Sequence, residues 1–356
     1  MNRLSDMQKQ LAVYHVDAML MTSPVNRRYI TGFASSAGMA LVTEDAGFFF
    51  TDARYIEAAR TELSGFVVKP VDREKTYKAQ VGALLAECGV KSLGFEQNTM
   101  TVNQYKDLKT AWPEVTLVPA QRALDLLRQV KTNAEITLMR ASQQIAEAAF
   151  DALLSDIRPG LTERQVRANL ICRMYEAGAD GLSFDPIVVA GPNSALPHGE
   201  AGEKSLEKGD FLTLDFGVVH KGYCSDTTRT IALGTVSQEM RRVYNTVLRA
   251  QQAGIERARA GVTGADIHNA ARAVIAEAGY DNYFGHGFGH GIGLEVHESG
   301  GASPSETTPL PSGAVLSAEP GIYLPGRFGV RIEDVIVLNE GGCENLTGLG
   351  KELLVL

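Results

Sequence analysis

Four glycines at every second position, Gly287, Gly289, Gly291 and Gly293, run through the segment His286-Gly-Phe-Gly-His-Gly-Ile-Gly-Leu-Glu-Val-His297. At about 1 kcal/mol each relative to alanine, they would weaken a helix by several kcal/mol. The segment is therefore predicted to be extended or looped, with a bare backbone that approaches a ligand or a neighbouring strand closely. Its spacing fits neither GxGxxG nor GxxxxGK[ST], so it is not a phosphate cradle. Three of the seven histidines, His286, His290 and His297, lie in these twelve residues, and a fourth, His198, sits in Gly191-Pro-Asn-Ser-Ala-Leu-Pro-His-Gly199. A single histidine is most often a surface or core residue without special duty. Three in one non-helical stretch point to a shared site.

The chain around this segment has two parts. Residues 4–14 carry apolar side chains at helical spacing, and residues 18–21, 39–42, 47–50, 66–68, 92–95 and 115–118 read as short strands with helices at 55–63 and 79–85. Strands alternating with helices favour a layered α/β domain, closing near residue 120. One long helix is expected over about 123–156, stopped by Arg158-Pro-Gly160. Thr162-x-x-Gln165 is a capping-box pattern that opens a helix to about 177. Beyond it Gly and Pro increase, β-type runs appear at 187–190, 211–217, 228–233, 315–318 and 334–338, and helices are expected at 238–259 and 265–278.

Composition narrows the class. Length, 356 residues, suits two domains. With 34 basic and 42 acidic side chains the net charge is −8, which argues against a nucleic-acid partner. No apolar run reaches the length of a membrane span, and the first twenty residues lack the apolar core of a secretion signal. The four cysteines are scattered and form no CxxC pair. A cytoplasmic protein without a membrane partner is expected.

Four carboxylates stand at the ends of apolar strands: Asp215 in Thr213-Leu-Asp-Phe-Gly217, Asp226 eleven positions on as a hairpin partner would be, Glu319 in Leu316-Ser-Ala-Glu-Pro320, and Glu333 in Val330-Arg-Ile-Glu-Asp334. Each alone is the kind of residue that pairs with a surface cation or ends a turn. Buried as anions they are costly unless paired or bound to a cation, and with His290 they make four oxygen donors and one nitrogen. That is more than one divalent ion needs and suits two sharing bridging carboxylates. Oxygen-rich, thiolate-free ligation favours Mn²⁺, with Fe²⁺, Co²⁺ and Zn²⁺ as alternatives. Two such ions lower the pKa of a shared water and polarise a carbonyl, which is the chemistry of hydrolysis.

In this order and with these flanks, Asp215, Asp226, His290, Glu319 and Glu333 resemble the five ligands of the pita-bread metallopeptidases. The match is to the Xaa-Pro peptidase branch, aminopeptidase P and prolidase. Supporting stretches are 190–199, 289–298 and 330–335, and Tyr29-Ile-Thr-Gly-Phe33 with Thr51-Asp-Ala-Arg-Tyr55 is similar to the branch's creatinase-type N-terminal domain. The resemblance implies an N-terminal layered α/β domain over 1–122. It also implies a C-terminal pita-bread domain over 123–356, with a curved antiparallel sheet and outer helices. It implies that Asp215 chelates one metal, that His290 and Glu319 bind the other, and that Asp226 and Glu333 bridge around a hydroxide. Glu319 would pass a proton to the leaving nitrogen, His297 and His198 would face substrate carbonyls, and His286 would line the site. Arg331 would pair with a substrate carboxylate or support the bridging glutamate. The substrate implied is a peptide with proline second, and the assembly a homodimer. Two alternatives stand beside this: a methionine aminopeptidase-like exopeptidase, and a non-catalytic peptide-binding protein on the same scaffold.

Overall fold

The structure is a computed structural model that describes residues 3–356. It divides into two compact units, Met1–Arg128 and Gln129–Leu356. The division falls six residues beyond the expected 122, because the helix Gln121–Gln129 buries Ala123 and Leu124, and Leu124 packs into the core of the N-terminal unit.

The N-terminal unit is built on a six-stranded sheet. In spatial order the strands are Phe66–Pro70, Gly47–Thr51, Met39–Thr43, Ala18–Met21, Ser92–Phe95 and Thr116–Pro119. Only Met39–Thr43 runs antiparallel to its neighbours. Its four central strands are largely buried on both faces, as parallel sheets under helices are, while the two edge strands are partly exposed. Successive residues of Ala18–Met21 separate accordingly: Met19 and Met21 enter one apolar cluster, Ala18 and Leu20 the other. Helices at Pro24–Thr31 and Val102–Ala111 had no counterpart in the sequence reading, although Ser23 caps the first and Thr101 with Gln104 forms a capping box on the second.

The C-terminal unit packs paired helices against antiparallel strands. Asn133–Leu154 with Glu163–Glu176 covers the sheet of Ile187–Ala190, Phe211–Phe216 and Thr227–Ala232. Gln238–Arg257 with Gly264–Glu277 covers a five-stranded sheet ordered Glu298–Ala302, Gly289–Gly291, Val315–Ala318, Asp334–Asn339 and Gly342–Asn345. Gly321–Leu324 and Phe328–Arg331 form a hairpin beside them. The helix expected over 123–156 is two helices, Gln121–Gln129 and Asn133–Leu154. The break follows from Thr132, whose hydroxyl accepts the Glu135 N–H while Glu135 returns to the Thr132 N–H, a capping box that starts a new helix.

The glycine-rich segment is extended where it carries His290. Gly289–Gly291 lies between Glu298–Ala302 and Val315–Ala318, and a Cβ on Gly289 would collide with the carbonyl oxygen of Ser317. Only a bare backbone lets the central strand come this close.

Candidate active site and metal centre

Strand pairing assembles the acidic residues. Phe211–Phe216 pairs with Thr227–Ala232 so that Thr228 faces Asp215, which leaves Asp226 just ahead of the second strand. Glu319 follows Val315–Ala318, and Glu333 occupies the gap between Phe328–Arg331 and Asp334–Asn339. Asp226, Glu333 and Asp215 are 4%, 1% and 9% exposed. Ligand atoms of Asp226, His290 and Glu333 all lie within 4.8 Å of one another. Glu319 Oε1 is 3.3 Å from His290 Nε2, and Asp226 Oδ2 is 3.4 Å from the same nitrogen. With Asp215, these groups line a cavity of about 1090 Å³.

The hydrogen bonds fix protons and lone pairs. His290 Nδ1 lies 3.1 Å from the Gly291 carbonyl, which only accepts, so Nδ1 carries hydrogen and it is Nε2 that faces the two carboxylates. A ring nitrogen and carboxyl oxygens at such distances are brought together by a shared proton or a cation. Two buried oxygens, Asp215 Oδ1 and Glu333 Oε1, have no protein partner, whereas Glu333 Oε2 accepts from Thr228 Oγ1 at 2.7 Å. Burial pushes the Asp226 and Glu333 carboxyls well above the usual carboxylate range, and their acidic neighbours push them further; burial also raises Asp215, against the pull of Arg331. Orphaned oxygens, an aimed imidazole and mutually repelling carboxylates fit a donor set for divalent cations.

The other candidates surround this cluster. The His297 ring stands edge-on to His290, centroids 4.2 Å apart, and burial lowers its pKa. His198 is exposed on the loop after the turn Gly191–Ala195. That loop is held by fully buried Glu163, which accepts from Ala190 N at 2.7 Å, Gly202 N at 3.0 Å and Asn193 Nδ2 at 3.0 Å. His286 Nδ1 donates to the Gly287 carbonyl at 2.8 Å, so its Nε2 accepts from Tyr323 OH at 2.9 Å. Both its nitrogens are engaged inside the protein, and burial lowers its pKa.

Arg331 commits four of the five N–H donors of a guanidinium to Asp215 Oδ2 at 2.6 Å, Tyr323 OH at 2.9 Å, Thr228 Oγ1 at 3.1 Å and Pro197 O at 3.2 Å. It therefore holds Asp215 directly and meets Glu333 only through Thr228. Tyr323 and Thr228 were not foreseen from sequence; each lies on a strand beside a ligand, but nothing in local spacing joins Thr228 to Glu333 and Arg331, more than a hundred positions away, or Tyr323 to His286, 37 positions away.

Residues 137–340 match the model of metallopeptidase family M24, and residues 3–130 that of the creatinase/prolidase N-terminal domain. The chain belongs to family M24. This M24 chain is 42% identical over 341 residues to the peptidase YqhT of Bacillus subtilis, covering 96% of each. It superposes with TM-score 0.96 on an Xaa-Pro dipeptidase from Bacillus anthracis at 42% identity, covering 99% of each chain. An X-Pro aminopeptidase from Thermotoga maritima gives TM-score 0.91 at 35% identity, over 98% of this chain and all of that one. The M24 chain is thus a metallo-exopeptidase with a creatinase-type N-terminal domain and a pita-bread C-terminal domain. Among the described residues no helix is long and apolar enough to cross a membrane.

Proposed function

We propose that the enzyme hydrolyses the bond between an N-terminal residue and a following proline, using two divalent ions, with Mn²⁺ the first choice. The observation that carries this reading is the convergence of three high-pKa carboxylates and the aimed His290 nitrogen on one cavity. Asp215 would hold one ion, His290 and Glu319 the other, and Asp226 and Glu333 both. When bound, the ions supply a water of lowered pKa and polarise the scissile carbonyl.

The chain's own residues do the remainder. The bond before proline is a tertiary amide without an N–H, so the site cannot depend on a hydrogen bond from that nitrogen. After cleavage the nitrogen needs a proton, which Glu319 takes from the attacking water and delivers. Ser317 Oγ, donating to Glu319 Oε1 at 3.0 Å, orients that carboxylate. Neutral His297 offers an N–H to the carbonyl oxygen as negative charge grows there, with His198 beside the entering peptide. His286, with both nitrogens engaged, shapes the wall. Arg331 aims Asp215 through its hydrogen bond and opposes the effect of burial on that carboxyl.

Xaa-Pro activity is supported by the names of the relatives on either side of the dipeptide boundary. A homodimer in the cytoplasm completes the reading, resting on the family resemblance and on composition. The test is hydrolysis by chelator-treated enzyme given back Mn²⁺. Ala-Pro and Ala-Pro-Pro-Ala measure length preference, and Met-Ala tests the methionine aminopeptidase alternative. Cleavage confined to Xaa-Pro peptides and dependent on metal is expected. Cleavage of Met-Ala alone would refute the proline reading, and no metal uptake with no cleavage would favour a binding protein.

A further inference from the structure

Lys131 and Glu298 form an ion pair 3.1 Å long whose side chains are only 3% and 4% exposed. Glu298 directly follows His297, and Lys131 lies 167 positions away, between the helices Gln121–Gln129 and Asn133–Leu154. The Glu298 carboxylate also accepts the backbone N–H of Leu294 at 2.9 Å and of Glu295 at 3.3 Å, both through Oε1. The loop leading to His297 is therefore wrapped around the side chain of the residue that follows it. Gly293 permits this: a Cβ there would lie 2.8 Å from both Glu298 oxygens.

Lys131 is fixed in turn. Its N–H donates to the Gly313 carbonyl at 2.9 Å, and Val130 bridges Ala314, one position before the strand Val315–Ala318 that leads into Glu319. The anchoring thus runs from the strand beside His290, through Lys131 and Glu298, to residues 293–297. A buried ion pair is weak support for stability, since desolvating both charges offsets their attraction, but it holds one geometry against others. Here the geometry held is the placement of the His297 ring beside His290.

We propose that Lys131 and Glu298 are positioning residues for His297: the buried pair pins the loop of residues 293–297 so that the imidazole meets the substrate carbonyl. This rests on the reading of His297 given above. The test measures kcat, KM and bound metal for Lys131→Met and Glu298→Gln, each made in the parent and in a His297→Ala background, with Lys131→Arg as the conservative control. In the parent background, kcat is expected to fall on the order of tenfold or more, as when a supporting group is lost, with KM and metal content little changed and Lys131→Arg retaining most activity. In the His297→Ala background the same substitutions are expected to change kcat less than twofold. Should Lys131→Met not fold, Glu298→Gln, which keeps shape and acceptor, decides alone. An equal fall in both backgrounds, a fall that tracks metal loss, or no fall would overturn the proposal. A fully active His297→Ala enzyme would instead refute the role of His297, and the proposal with it.

Discussion

Glu96 in the N-terminal unit and Glu333 in the C-terminal unit are both buried, and the two are treated in opposite ways. In the N-terminal unit Glu96 receives Ser23 N at 2.9 Å, Ser23 Oγ at 2.5 Å, Asn26 Nδ2 at 2.6 Å, and the Thr22 N–H. Both oxygens are occupied, and the side chain ties the end of one strand to the start of a helix. In the C-terminal unit Glu333 receives Thr228 Oγ1 on one oxygen and nothing on the other. A carboxylate surrounded by donors is a finished structural part. One surrounded by other carboxylates, with an oxygen unfilled, is a ligand in want of a cation.

The sharpest way to break this contrast is to remove the groups. Asp226→Ala, His290→Ala and Glu319→Ala should each lower kcat/KM by more than the roughly 10–100-fold seen when residues that merely orient metal ligands are lost. Bound metal, measured by elemental analysis, should fall with it. Glu96→Ala should do the reverse: metal content stays, and stability in urea drops by about 3 kcal/mol because several buried donors lose their acceptor. If Glu96→Ala lost metal, or Asp226→Ala kept both metal and activity, the contrast would be wrong. Thr228→Val tests the link between them, since this hydroxyl is the single protein donor to Glu333 in the hydrogen bonding described. A loss of metal affinity on the order of tenfold, read by titration against a chelator, is expected.

The last effect is the smallest and has a definite sign. Asp215, Asp226 and Glu333 have folded-state pKa values above those of the unfolded chain. In metal-free protein their contribution to stability is present below the ordinary carboxylate range, about pH 4, and is lost as pH rises through the raised values. Asp226→Asn, which cannot ionise, should therefore raise the melting temperature of chelated protein at about pH 8 and change it little at about pH 4. A melting temperature lowered equally at both pH values would contradict the raised pKa.

The same contrast governs what could be read from the sequence. In the N-terminal unit short apolar runs and turns located the six strands, most plainly the four central ones, because strands buried on both faces write themselves as uninterrupted apolar residues. The helix Pro24–Thr31 was hidden by Ser23-Pro24, which reads as a stop to a strand and serves as a cap and first turn. In the C-terminal unit the carboxylates were visible because charged residues closing apolar strands need a reason to be there. The strands Gly321–Leu324 and Phe328–Arg331 were not, because Gly321, Pro325, Gly326 and Gly329 interrupt the apolar run. Arg331 entered through the family resemblance, but its engagement with Asp215, Tyr323 and Pro197 depends on strand pairings that no local pattern states. Lys131 was invisible for the same reason, and the break at Thr132 was lost inside an otherwise helical run.

Loading chelated protein with Mn²⁺ and locating the ions by anomalous scattering tests the central claim most directly. The account predicts two peaks per chain, roughly 4 Å apart, bounded by Asp215, Asp226, His290, Glu319 and Glu333, with Xaa-Pro hydrolysis returning as they fill. Absence of ions from that cavity at saturating Mn²⁺, or full activity without them, would contradict it.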